Sequence, residues 1–392
     1  MTHISEIKVN KNLPVLTSLR FFAAALIVHH HTADFFKFGQ DFAHKYLLGQ
    51  GVTFFFVLSG FILTYNYGHL SGLRNSLSFF WARVAKVWPA HVFMLLVFLF
   101  LWGPVLKTGY APTPGEITTN LLLVQAWNPD PYVYYAFNSV SWTLSVEMFF
   151  YLLFPLLIVN FSRNWHWKVY FAVTLALLAI YLGGTMSAED FNGQEYGGVV
   201  FWAYVWPPTY LLVFVLGMVA GQALTKYRAV LSESTASGAF GVVAIAIMLL
   251  GSVVMPNAGP VLQGWGLPIS PTANNWIAMN GAAPFYAVGL LLIACSNGLV
   301  TKALSVRPMV VLGEISFAMY LTHQVAVRVM NPAWLEALPP AGQAAIYWLF
   351  VVAFSYLVWR FVERPCQRLL RRLDPFRSRP KQETAKAQEQ IG

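Results

Sequence analysis

The first apolar stretch of the chain, LTSLRFFAAALIVHHH, carries Arg20 in its interior and ends on His29, His30 and His31. Ionisable side chains inside such a stretch are costly and point to function by default. At about 100° per residue, the eleven-residue step from Arg20 to His31 returns to within roughly 20° of its starting direction and climbs about 16 Å. His29 points about 180° away from Arg20 and His30 about 80° off. Arg20 and His31 therefore share one helix face, with the guanidinium near one end and the imidazole near the other. An imidazole, with an unperturbed pKa of about 6.5, can act as a general base or accept an acyl group transiently. Metal ligands on one helix need a spacing such as i, i+4, so three consecutive histidines make a poor set and no metal is expected. His29 and His30 read as interfacial residues.

Other segments add chemistry. SWTLSVEMFFYLLFP places Glu147 about two turns into an apolar span, where a carboxylate must pair with a cation or stay protonated. Arg20 or a protonated His31 are its natural partners. Trp142 and Ser145 precede it as candidate pocket residues. In LGEISFAMYLTHQV, Ser316 and His323 are seven apart and share a face, with Tyr320 between them and Glu314 near one end. These side chains either line a pocket or make interhelical hydrogen bonds. FFWARVAKVWPAH sets Arg83 and Lys86 three apart in what reads as a loop ahead of Pro89, a pair suited either to phosphate or to anchoring at a membrane edge. GVTFFFVLSGFILTYNYG contains Ser59 and Gly60, small residues that permit close helix approach.

The elements that must position these residues are membrane helices. The 392 residues are 57% hydrophobic and 10% charged, against roughly 25% charged in a soluble domain. Apolar blocks fall at about 15–34, 51–66, 87–106, 140–160, 169–184, 208–223, 237–255, 281–296, 309–328 and 343–362, each near the roughly 20 residues that cross a bilayer. The expected fold is an all-α integral membrane bundle of about ten transmembrane helices. Placing the amino terminus in the cytoplasm puts nineteen of the 25 basic residues in cytoplasmic segments, as the positive-inside pattern requires. Both termini are then cytoplasmic. The formal charge of +9 follows from this sorting and argues for anionic lipid rather than nucleic acid. Cys295 and Cys366 fall on the reducing side, so no disulfide framework is indicated.

Residues 1–14 read as a cytoplasmic segment without a cleaved signal, 15–362 as the transmembrane domain, and 363–392 as a basic, disordered cytoplasmic tail whose start can lie along lipid headgroups. The connections at about 107–139 and 185–207 are rich in aromatics, Asn, Pro and Gly. They suit an interfacial aromatic belt or a sugar-binding rim.

Taken in order, the Arg20 to His31 spacing, GVTFFFVLSGF, the Arg83 to Pro89 segment, SWTLSVEMFFYLLFP, ISFAMYLTHQV and FVERP (361–365) resemble the membrane acyltransferase-3 family, which transfers acyl groups, usually acetyl, to surface polysaccharides and other acceptors. The resemblance runs through most of the chain. Departures are Phe21 and Phe22 where Gly and a small aliphatic are usual, Lys86 and Trp88 where Arg and Tyr are commoner, and Met148 in place of a more polar residue. The resemblance implies an O-acetyltransferase with no tightly bound cofactor. Its donor would be cytoplasmic acetyl-CoA, held by Arg83 and Lys86. The implied acceptor is a glycan or lipid-linked saccharide, such as an exopolysaccharide, reached from the outer face of a bacterial cytoplasmic membrane. His31, Arg20 and Glu147 would form the catalytic set. Polysaccharide-assembly proteins are the expected protein partners, and no appended esterase-like domain is seen. A transporter or flippase is the alternative that hydropathy alone leaves open.

Overall fold

The computed structural model describes residues 13–101, 111–185, 197–330 and 335–377. The amino-terminal twelve residues, Lys107, the EDFNGQ portion of the 185–207 connection and residues 378–392 lie outside them. The described chain is helical and contains no strand. Eleven helices frame the molecule: α1 (Pro14–Phe36), α2 (Gly51–Tyr67), α3 (Leu73–Leu101), α4 (Trp142–Leu157), α5 (Phe161–Thr185), α6 (Leu211–Glu233), α7 (Phe240–Gly264), α8 (Ala283–Cys295), α9 (Arg307–Val329), α10 (Pro340–Val358) and α11 (Arg364–Arg372).

Nine helical stretches among the described residues are long and apolar enough to cross a membrane, and they correspond to α2 through α10 with their flanking turns. The tenth expected span, α1, has the length: 23 residues rise about 34 Å. Arg20 and the three histidines lower its mean hydropathy. Such a helix is tolerable when its polar face is covered by protein, and α1 packs along α9 and α2.

Close approach rather than a hydrophobic driving force holds membrane helices together. Gly217 and Gly221, four apart on α6, lie against α2: a Cβ on Gly217 would come 2.0 Å from the Val57 carbonyl oxygen, and one on Gly221 2.5 Å from that of Phe61. Gly60 answers from α2, 2.0 Å from the Phe214 carbonyl by the same measure. Gly60 is thus a packing residue, whereas Ser59 beside it faces a cavity between the helices. On the other side of α1, a Cβ on Gly313 of α9 would meet the Thr17 carbonyl oxygen at 1.9 Å. Only glycine lets α1 and α9 run this close. They run side by side in the same direction, Thr17 level with Gly313 and His31 level with His323.

Two sequence expectations need correction. Arg83, Lys86 and Pro89 do not form a loop, because α3 starts at Leu73 and continues through Pro89. The amino-terminal part of α3 is held by the segment read as disordered tail. Trp81 Nε1 donates to the Leu370 carbonyl at 2.7 Å, and Arg74 donates to the carbonyls of Phe376 and Arg377 at 3.0 and 2.9 Å. Residues 364–372 are therefore a docked helix, its backbone partly satisfied by α3 side chains, and not free chain.

The described part of the 107–139 connection folds into short helices and is tied to the bundle. Thr113 and Glu116 form a capping box for Pro114–Leu121. His91 Nε2 meets the Asn120 carbonyl at 2.8 Å, Trp88 Nε1 donates to Leu121 at 2.9 Å, and Asn138 Nδ2 donates to Leu321 at 2.9 Å. Irregular backbone at membrane depth survives only where protein covers it, and these bonds supply that cover.

Candidate functional site

At one end of the bundle α1, α2, α3, α4 and α9 enclose a cavity of about 280 Å³. Its walls are largely apolar, including Leu16, Val52, Phe55, Phe56 and Phe317, but Arg20, Arg83, Lys86 and Glu147 also open onto it. The shared face of α1 thus puts Arg20 in a common space with the two basic residues of α3.

Each charged group is handled differently. Arg83 donates to the Tyr67 hydroxyl at 3.1 Å and lies over the Tyr67 and Phe79 rings, while its buried Nε has no partner among the described residues. Lys86 forms an ion pair with Glu363, a carboxylate only 1% exposed whose second oxygen has no partner among the described residues. Glu147 accepts a 2.6 Å hydrogen bond from Tyr151, one turn further along α4. Among the described residues Arg20 makes no hydrogen bond or ion pair; its guanidinium is uncommitted.

The far end of the cavity is closed by Thr143 and Tyr320. The Tyr320 hydroxyl lies 3.1 Å from Thr143 Oγ1 and donates to the Val140 carbonyl at 3.2 Å. Beyond it stands the histidine pair. The His323 ring is 5.9 Å from that of Tyr320, and the His31 and His323 rings stack at 5.2 Å with only 6° between their planes. Neither histidine lines the cavity, so Tyr320 is the residue that touches both spaces. His323 is fully buried, whereas His31 is exposed at its end of the bundle.

Hydrogen bonding fixes the tautomers of the neutral pair. His323 Nδ1 lies 2.7 Å from the Tyr320 carbonyl oxygen, which can only accept, so Nδ1 carries the proton. His323 Nε2 must then accept, and the atom facing it at 3.0 Å is His31 Nδ1. Gln324 Nε2, 3.4 Å away, donates to the same nitrogen. His31 therefore carries its proton on Nδ1, and its Nε2 is left with an unprotonated lone pair. The Tyr347 hydroxyl, donating to the His323 carbonyl at 3.0 Å, braces the pair from α10. One His31 ring nitrogen is thus tethered and the other has no partner among the described residues, an arrangement that suits an oriented base.

Several expectations are altered by this arrangement. Glu147 is on the cavity side with Tyr151 and makes no hydrogen bond to His31, whose Nδ1 meets His323 instead. Trp142 is 3% exposed and packs its ring 4.7 Å from Tyr204, Ser145 is buried away from the cavity, and Ser316 donates back to the Gly313 carbonyl of its own helix at 2.8 Å. These three are packing residues, while Tyr320 lines the cavity and His323 stacks on His31. His29 is packed among Phe38 and Phe42. Tyr151 and Glu363 were not singled out from the sequence, although Tyr151 stands four residues after Glu147, the one-turn helical spacing, and Glu363 is the acid of FVERP.

The described residues form a polytopic helical bundle whose cavity is lined by three cations and a carboxylate, with a tethered histidine pair beyond it. Residues 14–360 match the acyltransferase domain of the acyltransferase-3 family. The chain belongs to that family and is a multi-pass membrane acyltransferase. It is 31% identical to "Acyltransferase MdmB" of Streptomyces mycarofaciens, over 96% of this chain and 97% of that one. It is 26% identical to "Nodulation protein 10" of Rhizobium leguminosarum bv. viciae, over 90% and 92%. With "O-acetyltransferase OatA" of Staphylococcus aureus it shares 23% identity over 91% of this chain but 57% of that longer protein. No solved structure matches the chain.

Proposed function

We propose that this acyltransferase moves acetyl from acetyl-CoA, held at the basic end of the bundle, to a sugar hydroxyl of an exopolysaccharide or other glycan at the histidine end. The 3.0 Å contact of His31 Nδ1 with His323 Nε2, which leaves His31 Nε2 without a partner among the described residues, is the observation that carries this reading. A hydroxyl nucleophile needs a base on its own side of the reaction. The basic end would face the cytoplasm, in keeping with the sorting of lysine and arginine, and the membrane would be a bacterial cytoplasmic membrane. The family favours an enzyme over a transporter, and the name of the staphylococcal relative favours oxygen as the acceptor atom and acetyl as the group.

Arg20, Arg83 and Lys86 suit the phosphates of the donor, since charge-assisted bonds to phosphate are the strong ones. Glu147 balances charge in the same cavity. Tyr320 would swing from Thr143 and Val140 to admit the thioester to His31. The acceptor's O–H proton then passes to His31 Nε2, an oxygen–carbon bond forms at the thioester carbonyl, the carbon–sulfur bond breaks, and the leaving thiolate takes the proton back from the imidazolium. His323 holds the His31 ring and accepts from its Nδ1–H as the ring becomes positive. Acetyl-CoA acts as a substrate, not a resident cofactor.

The test is the O-acetyl content of surface glycan in a deletion strain complemented with the wild type or His31→Ala. The variant should insert at the wild-type level and leave the glycan unacetylated. Full acetylation by an inserted variant would exclude His31 as the base.

A further inference from the structure

A second cavity, about 470 Å³, adjoins the first and is lined by Pro14, Thr17, Arg20, Lys86, Ser305, Arg307, Val310, Glu314 and Trp359. Thr17, Arg20 and Lys86 also line the first. The two spaces meet at two cationic side chains, and their characters differ. The first runs between apolar walls toward Tyr320, whereas the second is bordered by hydroxyls, a carboxylate and a further guanidinium. From Val310, in the second cavity, to Tyr320, at the closed end of the first, α9 rises about 15 Å.

The chemistry of the fork is asymmetric. Lys86 is already paired with Glu363, and Arg307 reaches Glu314 at 3.4 Å, an exposed and loosely made contact. Arg20 is uncommitted and opens onto both spaces. A ligand matching this shape has an anionic centre at the fork, a slender uncharged arm in the apolar cavity and a polar, anionic head in the other. Trp359 begins a five-residue π-helical turn ending at Glu363, with the Arg364 guanidinium 4.6 Å over its ring. Such single π-turns recur at functional sites, and this one brings both Trp359 and the Lys86 partner to the fork.

We infer that the second cavity receives the phosphorylated nucleotide end of the donor, with the diphosphate at Arg20 and Lys86, the pantetheine arm along the first cavity, and Arg307 at the outer phosphate. This rests on the donor reading above, and it adds that the enzyme recognises the carrier through its nucleotide rather than through the thioester arm alone.

The experiment compares CoA with 4′-phosphopantetheine, which lacks the nucleotide, by equilibrium binding to the detergent-solubilised full-length protein. The wild type should bind CoA at least about tenfold more tightly, the worth of one charge-assisted bond. Arg307→Gln should weaken CoA about tenfold and leave phosphopantetheine unchanged; Arg307→Lys, which keeps the charge, should recover most of the loss. Equal affinity of the wild type for the two probes would overturn the nucleotide subsite while leaving the donor reading intact, as would an Arg307→Gln variant that weakens both equally. A wild type that binds neither probe would remove the donor reading and this inference together.

Discussion

Replacing His323 by leucine deletes the acceptor of the His31 Nδ1–H while keeping a buried apolar side chain in α9. In the wild type that bond is 3.0 Å long and set by a second one, 2.7 Å from His323 Nδ1 to the Tyr320 carbonyl. When His31 takes the acceptor's proton its ring becomes cationic, so the lost bond is one to a charged group, worth about 1.5–3 kcal/mol. At about 1.4 kcal/mol per decade, kcat should fall between roughly tenfold and 150-fold. KM for acetyl-CoA should hold, because the cavity proposed for the donor does not include either histidine. His323→Gln, whose amide can donate toward Tyr320 and accept from His31, should stay within about fivefold of wild type, since it restores the bond that leucine removes. The assay is release of free CoA thiol from acetyl-CoA by the reconstituted full-length protein, with the host's surface glycan fraction as acceptor. A folded His323→Leu variant with wild-type kcat, or a loss equal for leucine and glutamine, would refute the tethered-base reasoning.

Gly313→Ala places a methyl group 1.9 Å from the Thr17 carbonyl oxygen, so α1 and α9 must separate. Overpacking of this kind costs about 1–3 kcal/mol, and activity should fall with detergent-melting temperature, because the same contact aligns His31 with His323. For the Lys86–Glu363 pair, Lys86→Met alone should cost about 3 kcal/mol by stranding the buried Glu363 carboxylate, and Glu363→Gln less, because Lys86 opens onto both cavities. The Lys86→Met/Glu363→Leu double variant should melt closer to wild type than either, while binding CoA less tightly; additive losses in melting would show the pair is not coupled.

Much of the architecture was legible because apolar blocks of membrane length have no soluble explanation, and α2 through α10 fall on nine of the expected spans. The shared face of Arg20 and His31 was legible from periodicity, because α1 is one unbroken helix. What periodicity does not contain is the identity of the opposite helix. It grouped Ser316 with His323, yet Ser316 satisfies its own backbone while His323 meets a side chain 292 residues away. The same gap left Arg20 or His31 as the partner of Glu147, which accepts from Tyr151 while His31 meets His323. The Arg83 to Pro89 segment misled in another way, being read as a loop although α3 runs through it, its amino-terminal part held by the carboxy-terminal segment. A tail rich in arginine looks disordered until the tryptophan that accepts it as a neighbour is known.

Sidedness with His31 intact and removed tests the account most directly. The full-length protein, reconstituted in sealed vesicles and sorted by orientation, is given radiolabelled acetyl-CoA on the basic side and the glycan fraction on the histidine side. Labelled glycan should appear across the bilayer with the wild type and none with His31→Ala. Equal labelling by His31→Ala, or labelling only when donor and acceptor share a side, would contradict the account.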